Sequence, residues 1–277
     1  MSYIRDKVII VTGAGSGFGR LISQKAAAMG AKLVCADISV AMLDDVVQSI
    51  SAAGGIAMAV GADVTDVDQM RVAAATAVKR FGRIDVLVNN AGTMPLAFIQ
   101  DHEAALPAWD KCIDINFKGV MNGTVAVYDQ MIQQGQGQII NISSIYGNHP
   151  VVGAAVYGAT KAAVNYFSNS VRVESRGKIK VCLIKPTGVP ATGLTNTVVN
   201  AASIVGIVGQ NAQEFQEFAA KYASGELPPS TLDPEAIGYP ALDPVYIADA
   251  VIHVINQPAG IALSDVTVRA AGDPYIL

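Results

Sequence analysis

Tyr157 and Lys161 are four residues apart in the segment Tyr-Gly-Ala-Thr-Lys, which places a phenol and an ammonium group on one face of a helix. A phenol with an unperturbed pKa of about 10 is almost fully protonated at neutral pH. A cation about 4 Å away, at an effective dielectric constant of about 20, favours its ionisation by about 4 kcal/mol. The pair therefore has the composition of an acid/base group that exchanges a proton with an alcohol or a ketone.

The same spacing occurs at Tyr3 and Lys7, so the spacing alone does not identify a catalytic pair. The alternative interpretation of either copy is a helix surface that happens to carry both residue types. Tyr3 and Lys7 precede the first predicted strand and have no supporting motif around them. The elements around Tyr157 must therefore decide between chemistry and coincidence.

A glycine-rich turn, Thr-Gly-Ala-Gly-Ser-Gly-Phe-Gly at residues 12–19, follows an apolar strand predicted over Val8 to Val11. A helical pattern then runs to Met29. Glycines in this context permit a tight turn and close approach of the backbone to a pyrophosphate, whose charge meets the N-terminus of the helix. The sequence of strand, turn and helix favours a dinucleotide site over a plain tight turn.

Asp37 follows the second predicted strand, Lys32 to Ala36. A carboxylate at this position accepts hydrogen bonds from the adenosine ribose, whereas a phosphate at the 2′ position would be repelled by it. Neither Ser16 nor Ile38 supplies a compensating cation. We therefore predict NAD rather than NADP, the alternative being that Asp37 only caps the next helix.

The remaining chain repeats the alternation of strand and helix without a break in composition. This pattern predicts an α/β fold with a doubly wound, mostly parallel sheet of about seven strands, flanked by helices on both faces. The whole chain, residues 1–277, is predicted to be a single dinucleotide-binding catalytic domain. Residues 190–241 contain no strand pattern and are interpreted as a substrate lid, since such long segments in compact domains usually bind ligands.

Polar residues follow several of these strands. Asp63 and Val64 are placed to reach an adenine, and the Asn-Asn-Ala-Gly turn at residues 89–92 is placed to close the cofactor cleft, although alone it would be an ordinary turn. Asn116 lies inside a helix predicted near Leu106 to Gln133, where asparagine is unfavourable unless it has a task.

Ser143 and Ser144 follow the strand predicted over Gln138 to Ile142. Open parallel sheets bind ligands at this edge, the carboxyl ends of their strands. Adjacent serines at a strand end are also common turn formers, and this alternative stays open on the residues alone.

Composition narrows the function. The 277 residues are 51% hydrophobic and only 15% charged, which indicates much buried surface, and the net charge of −4 gives no basic footprint for nucleic acid. The N-terminus lacks the apolar core of a signal peptide, and the longest uncharged run is interrupted by Gly, Pro and Asn. We predict a cytoplasmic protein with no membrane partner.

The three cysteines and three histidines show no metal-ligand spacing, so we predict no metal site.

Taken together, these motifs resemble the short-chain dehydrogenase/reductase family over nearly the whole chain. The resemblance rests on the turn at residues 12–19, Asp63, residues 89–92, Asn116, Ser144 and the Tyr157/Lys161 pair, all in the order and near the spacing of the family. Ser144 rather than Ser143 matches the family's serine by its distance to Tyr157.

The resemblance implies a Rossmann-type fold in which Tyr157 is the acid/base and Lys161 lowers its pKa while holding the nicotinamide ribose. It implies that Ser144 hydrogen-bonds the substrate oxygen and that Asn116 holds a water that relays protons. The implied cofactor-binding residues are Gly13, Ser16, Gly17, Phe18, Gly19, Asp37, Asp63, Val64, Asn90, Ala91, Gly92, Tyr157, Lys161 and Val189. It also implies a homo-oligomer, a tetramer or a dimer, with the helices of Asn116 and Tyr157 packed across a two-fold axis.

Two features depart from the family pattern. Thr187 stands where the family usually has a glycine after Pro186, and Thr192 comes one residue later than the family's threonine. The chain is also longer than the common member, mainly in the lid, so a relative's substrate does not transfer to it.

The leading hypothesis is an NAD-dependent enzyme that interconverts a secondary alcohol and a ketone, a small molecule of apolar, aromatic or alicyclic type. The apolar residues of the lid support this substrate class, although they would also suit contact with a neighbouring subunit. Two alternatives remain: an epimerase or dehydratase with retained cofactor on the same scaffold, and a non-catalytic subunit that binds the dinucleotide. The intact set of Asn116, Ser144, Tyr157 and Lys161 argues against the second.

Overall fold

A parallel β-sheet forms the centre of the protein. The computed structural model describes residues 2–190 and 192–276, and in this part of the chain seven parallel strands form one sheet in the order β3-β2-β1-β4-β5-β6-β7. The strands are β1 Val8–Thr12, β2 Lys32–Asp37, β3 Ile56–Gly61, β4 Val86–Asn89, β5 Gly137–Ile142, β6 Ile179–Pro186 and β7 Asp265–Val268. The predicted doubly wound α/β fold is confirmed.

Helices connect the strands and cover both faces of the sheet. They are α1 Gly17–Ala28, α2 Val40–Ala52, α3 Val67–Phe81, α4 His102–Ile113, α5 Gly119–Gln133, α6 Ala155–Glu174, α7 Val205–Val208, α8 Ala212–Ser224 and α9 Pro244–Ile255. Most of these bounds lie within a few residues of those predicted, because apolar runs, caps and glycines mark the ends of the elements. Gly82, for example, ends α3 in the left-handed conformation with φ of 81°.

The core has two layers, one on each face of the sheet. Every residue of β1 is buried, as its continuous apolar run predicts. Ile22, Leu43 and Val251 from α1, α2 and α9 pack on one face. Ala77 and Met131 from α3 and α5 pack on the other. Full burial of a Val, Leu or Ile side chain contributes about 1.5–3 kcal/mol, so these layers fix the sheet as a rigid platform.

The strand order reverses between β1 and β4, and this switch point creates a crevice at the carboxyl edge of the sheet. β1 pairs in parallel with β2 on one side and with β4 on the other. The connections after β1 and β4 therefore diverge to opposite faces. The turns at residues 13–16 and 90–92 border the gap between them.

The helix predicted near Leu106 to Gln133 is wrong as a single helix. The structure begins it earlier, at His102, and divides it by a wider π-helical turn, Asp114–Lys118. An aspartate at residue 101 accepts a hydrogen bond from the Phe98 backbone N–H and starts the segment early. Turns of π type are frequent at functional sites, and this one carries Asn116.

The segment after β6 crosses the carboxyl edge of the sheet. In its described part, residues 192–241, helical turns and α8 alternate with loops, and no strand is present. No helix within residues 2–190 or 192–276 has both the length and the apolar character needed to span a bilayer.

Candidate active site

The glycine-rich turn after β1 approaches the turn after β4 very closely. Gly13 has φ of 63°, and a Cβ atom there would lie 2.9 Å from the Ala91 Cα atom. A Cβ atom at Gly19 would overlap the Gly13 carbonyl oxygen, so α1 also packs directly on the turn. These two positions need glycine for space, which is what a backbone cradle for a pyrophosphate requires.

Hydrogen bonds join the same two turns. The Thr12 Oγ1 atom accepts from the backbone N–H groups of Asn90, at 3.0 Å, and Ala91, at 3.2 Å. The Asn90 side chain donates from Nδ2 to the Thr12 carbonyl at 2.9 Å and to the Gly13 carbonyl at 3.1 Å. The sequence predicted a polar side chain that closes the cofactor cleft here, and the Asn90 side chain fixes the glycine-rich turn at this position.

The N-terminus of α1 opens toward this cradle. Ser16 occupies the N-cap position, yet its side chain makes no capping hydrogen bond and the first turn of the helix contains no acidic residue. The first N–H groups of a helix lack internal partners and carry the positive end of its dipole. The arrangement fits an anionic group such as a pyrophosphate.

Asp37 lies at the end of β2 with its carboxylate held by the backbone. The Oδ2 atom accepts from the Gly15 N–H at 3.0 Å and the Oδ1 atom accepts from the Ser39 N–H at 2.9 Å. Ser39 occupies the N-cap position of α2, so the simple capping alternative for Asp37 does not hold. The carboxylate is fixed at the mouth of the cleft, where a ribose is expected to lie.

An outer cleft of about 600 Å³ runs along these turns. It is lined by Gly13, Ser16, Gly17, Phe18, Asp37, Asp63, Val64, Asn90, Ala91 and Gly92, all of which the sequence assigned to the cofactor. Gly19 does not line it and contributes through packing instead. The cradle, the open helix terminus and the placed carboxylate fit a dinucleotide.

An inner cavity of about 290 Å³ adjoins the outer cleft and contains Ser144, Tyr157, Lys161 and Val189 in its lining. Phe18, Asn90, Gly92, Thr192 and Leu194 line both spaces. An elongated ligand that starts at Asp37 therefore leads to Tyr157. The predicted catalytic residues and the predicted cofactor residues share one continuous groove.

The two serines after β5 have different surroundings. The Ser143 Oγ atom donates to the Asn165 Oδ1 atom at 2.6 Å, away from the reactive phenol. The Ser144 hydroxyl lies close enough to the Tyr157 side chain to favour its ionisation, and the Ser144 Oγ atom accepts from the Tyr146 N–H at 3.3 Å. The structure therefore brings Ser144, and not Ser143, together with Tyr157.

Burial dominates the titration of the Tyr157/Lys161 pair. It raises the pKa of Tyr157 above its usual value, an effect that the nearby Ser144 hydroxyl only partly opposes. Burial also lowers the pKa of Lys161 to about 8. The Lys161 Nζ atom donates to the Ile142 carbonyl at 2.8 Å and lies 5.8 Å from the centroid of the Tyr157 ring. In the protein itself, the lowered tyrosine pKa that the resemblance implied is not present.

Asn116 is fully buried and lies behind the cavity wall, not in it. Its Oδ1 atom accepts from the Thr93 N–H at 2.9 Å, and its Nδ2 atom donates to the Thr93 carbonyl at 2.9 Å. The same Nδ2 atom contacts the Thr160 Oγ1 atom, 3.3 Å away on α6. Asn116 thereby connects the π-helical turn to the strand end at Thr93 and to the helix that carries Tyr157.

The two departures from the family pattern lie at the cavity. Thr187 lines it, and the Thr187 Oγ1 atom is buried without a hydrogen-bond partner among the residues that the structure describes. Such orphaned groups usually have a water or ligand partner. The Thr192 Oγ1 atom donates weakly to the Val189 carbonyl at 3.5 Å.

Several residues of the cavity belong to none of the sequence motifs. Phe215, Phe218, Ala219 and Tyr222 project from α8 at helical spacing and cover it, while Tyr275 comes from the C-terminal tail. The helical spacing of the four α8 residues in the sequence indicated a helix with one apolar face, which could cover the cavity. No sequence pattern indicates Tyr275. Within the described chain, Lys161 is the only charged side chain of the lining.

These features define a doubly wound α/β protein with a dinucleotide groove that leads to a buried tyrosine. The family model described as "short chain dehydrogenase" matches residues 7–215, and the chain belongs to that family of oxidoreductases. An uncharacterized oxidoreductase of Listeria monocytogenes, Lmo0432, is 33% identical over 278 residues, covering 98% of this chain and 99% of the relative.

Solved structures agree with this assignment. A metagenomic short-chain oxidoreductase in complex with NADP has a TM-score of 0.73 at 28% identity, covering 97% of this chain and 98% of that chain. Levodione reductase has a TM-score of 0.76 at 25% identity, covering 96% and 97%. Proteins of this fold bind a nicotinamide dinucleotide and act on small molecules, and they are usually oligomeric.

Proposed function

We propose that the protein is an NAD-dependent oxidoreductase that interconverts a secondary alcohol and a ketone. The observation that carries the proposal is the position of the buried Tyr157 beside Ser144 and Lys161 at the inner end of the dinucleotide groove. The bound nicotinamide supplies the hydride acceptor for oxidation or the hydride donor for reduction.

Tyr157 and Ser144 act on the substrate oxygen. In the reducing direction Tyr157 donates its phenol proton to the carbonyl oxygen as hydride adds to the carbon, and Ser144 hydrogen-bonds the developing oxyanion. In the oxidising direction the phenolate takes the hydroxyl proton. The raised pKa of Tyr157 keeps the phenol protonated at neutral pH, so the residue is ready as an acid.

Lys161 and Asn116 have supporting roles in this proposal. The pKa of Lys161, about 8, leaves its ammonium group mostly protonated at neutral pH, where it holds the nicotinamide ribose and favours the phenolate once it forms. Asn116 fixes the backbone at Thr93 beside the cavity. The family resemblance further implies that Asn116 holds a water molecule that relays protons, and we retain this role in the proposal.

Asp37 supports NAD as the cofactor. Its carboxylate is fixed by two backbone N–H groups, and the neighbouring Ile38 side chain is exposed and uncharged. A 2′-phosphate would meet this negative charge without an adjacent cation. The metagenomic short-chain oxidoreductase was solved with NADP, and Lys111 lines the same outer cleft of this protein, so the assay below compares both cofactors.

The inner cavity supports an apolar ring as the substrate, with the lid at residues 190–241 as its cover. Leu194, Ile204 and Ile207 of the lid line the cavity together with the aromatic face of α8. We further propose a cytoplasmic homo-oligomer, a dimer or a tetramer, in which the outer faces of α5 and α6 meet a second copy.

A substrate panel tests this function. Aromatic and alicyclic ketones and alcohols are assayed at 340 nm with NADH, NADPH and their oxidised forms. Tyr157→Phe and Ser144→Ala are expected to lower kcat at least about a hundredfold, the range of general acid–base catalysis. Tyr3→Phe and Ser143→Ala are matched controls that remove the same groups outside the reacting pair. Near wild-type turnover in Tyr157→Phe would sink the assignment.

A further inference from the structure

Three phenols besides Tyr157 line the inner cavity: Tyr222, which is 42% exposed, and the more deeply buried Tyr146 and Tyr275. The Tyr146 ring packs edge-on against the Tyr157 ring, with centroids 5.4 Å apart and an interplanar angle of 71°. The Tyr275 ring packs at a tilt against Phe215 of the lid, with centroids 6.4 Å apart. Tyr146 lies close enough to both Tyr157 and Tyr275 for their charges to interact. The cavity is thus bounded by a cluster of phenols.

The Tyr146 and Tyr275 hydroxyls have no hydrogen-bond partner within residues 2–190 and 192–276. Burial raises the pKa of Tyr146 beyond its usual range and that of Tyr275 to about 12, so both remain neutral hydroxyl donors. Polar groups in a largely apolar cavity are nearly always paired with protein, water or ligand. These two hydroxyls are therefore available to a molecule in the cavity.

The position of Tyr275 is built into the fold by a C-terminal hook, residues 269–276. The Arg269 Nη2 atom donates to the Asp273 Oδ1 atom at 2.5 Å and to the Tyr275 carbonyl at 3.1 Å. The Asp273 side chain is only 1% exposed. The Ile276 N–H donates to the Ile207 carbonyl at 3.0 Å, which fastens the hook to the lid.

Gly188 makes room for the Tyr275 side chain. A Cβ atom at Gly188 would overlap the Tyr275 hydroxyl and the adjoining ring carbons. Thr187 occupies the position where the family usually has a glycine. In this chain the glycine comes one residue later, at Gly188, where it contacts the Tyr275 side chain. The ring and the residue beneath it thus form one wall of the cavity.

We propose that the hydroxyls of Tyr146 and Tyr275 form a second polar subsite, which binds an oxygen of the substrate remote from the reacting carbon. The inference rests on the proposed function and specifies its substrate. Because Lys161 is the only charged side chain among the described lining residues, that substrate is uncharged. The class is a cyclic ketone or alcohol that carries a second hydroxyl or carbonyl oxygen.

The test compares two inert ligands, cyclohexane-1,4-diol and 4-methylcyclohexanol, which differ in having a second hydroxyl or a methyl group. Calorimetry measures both dissociation constants on the protein saturated with NADH, or with NADPH where that cofactor is preferred. An alcohol cannot react with a reduced cofactor. The ratio of the two affinities is measured in wild type, Tyr275→Phe, Tyr146→Phe and the double variant, with Tyr3→Phe as control.

Each single variant is expected to shift the affinity ratio against the diol by about three- to tenfold, the value of one hydrogen bond, and the double variant by more. Tyr3→Phe should leave the ratio unchanged. A ratio that stays within about twofold of wild type in the double variant overturns the subsite, since a hydrogen bond is worth more than that.

Failure of the proposed function gives a different result. If no alcohol or ketone is turned over with either cofactor, the same titration on the protein alone still reports the subsite. A shifted ratio without turnover then supports the subsite and rejects the dehydrogenase, whereas turnover with an unshifted ratio rejects only the subsite.

Discussion

Tyr157 shows how burial and charge compete at a single residue. A cation about 4 Å away attracts the phenolate, whereas burial of the phenolate costs free energy that the residue spacing does not reveal. In the structure the Lys161 ammonium is directed to the Ile142 carbonyl, and burial raises the pKa of Tyr157. The phenolate of Tyr157 is therefore stabilised only when the cofactor and the substrate are bound beside it.

Lys161 should reduce the stability of the protein near neutral pH. Its pKa falls from 10.5 to about 8 on folding, so the penalty is fully present below pH 8 and disappears as the pH rises toward 10.5. Lys161→Met should abolish activity yet raise the free energy of unfolding at pH 7 by about 1–2 kcal/mol, after the loss of one hydrogen bond. Urea denaturation should show this gain shrinking by pH 10.

The exposed Lys79 provides the control, since Lys79→Met should leave stability unchanged at both pH values. Destabilisation by Lys161→Met at pH 7, or a gain that grows with pH, would contradict the assignment of a burial penalty.

Asp37 should determine cofactor preference. Asp37→Ala removes an acceptor for the ribose hydroxyls and the charge that repels a 2′-phosphate, so the ratio of kcat/KM for NADH over NADPH should fall about ten- to a hundredfold. Steady-state kinetics with both cofactors measure the ratio. Asp44→Ala, a change of an exposed aspartate on α2, should not alter it. A wild-type enzyme that prefers NADPH would reject the NAD assignment outright.

At the scale of secondary-structure elements, local sequence patterns are enough to predict the strands and most of the helices. Apolar strands, the glycine-rich turn and the helix caps are local signals, and the strands and most helices lie where those signals placed them. The π-helical turn at Asp114–Lys118 was missed, and its Asn116 hydrogen-bonds Thr93, a residue distant in sequence that a local pattern does not reveal. Asn116 itself was recognisable as an unfavourable helix residue, so the anomaly was visible although its geometry was not.

The residues of the cavity wall were harder to predict from local sequence patterns than the strands and helices. Ser144, Tyr157 and Lys161 share a segment of the chain and a sheet edge, so the sequence brings them together. Tyr275 reaches the same cavity from the other end of the chain through an ion pair within the C-terminal segment and several contacts of that segment with residues 207–239. Contacts over such separations carry no periodic signal, which explains why the substrate side of the site was the least predictable part.

At the scale of the whole molecule, the outer faces of α5 and α6 expose an apolar patch. Tyr166 is 79% exposed and Val173 is 75% exposed on α6, with Val125 and Met121 exposed on α5. Phe117 and Phe167 pack together at 6.2 Å and connect the two helices beneath the patch. Large apolar side chains exposed in this number on two helices are candidates for an interface between proteins.

The exposed apolar residues of α5 and α6 predict that the protein is a dimer or a tetramer. Light scattering should give a particle of two or four chains of 28.7 kDa. Introducing two buried charges with Val125→Glu and Tyr166→Glu should shift the particle to a smaller assembly, because an unpaired charge in an apolar interface costs several kcal/mol. Val72→Glu, at an exposed valine on α3, is the control and should leave the mass unchanged. A wild-type monomer would reject the oligomer, and an unchanged mass in the double variant would place its interface elsewhere than α5 and α6.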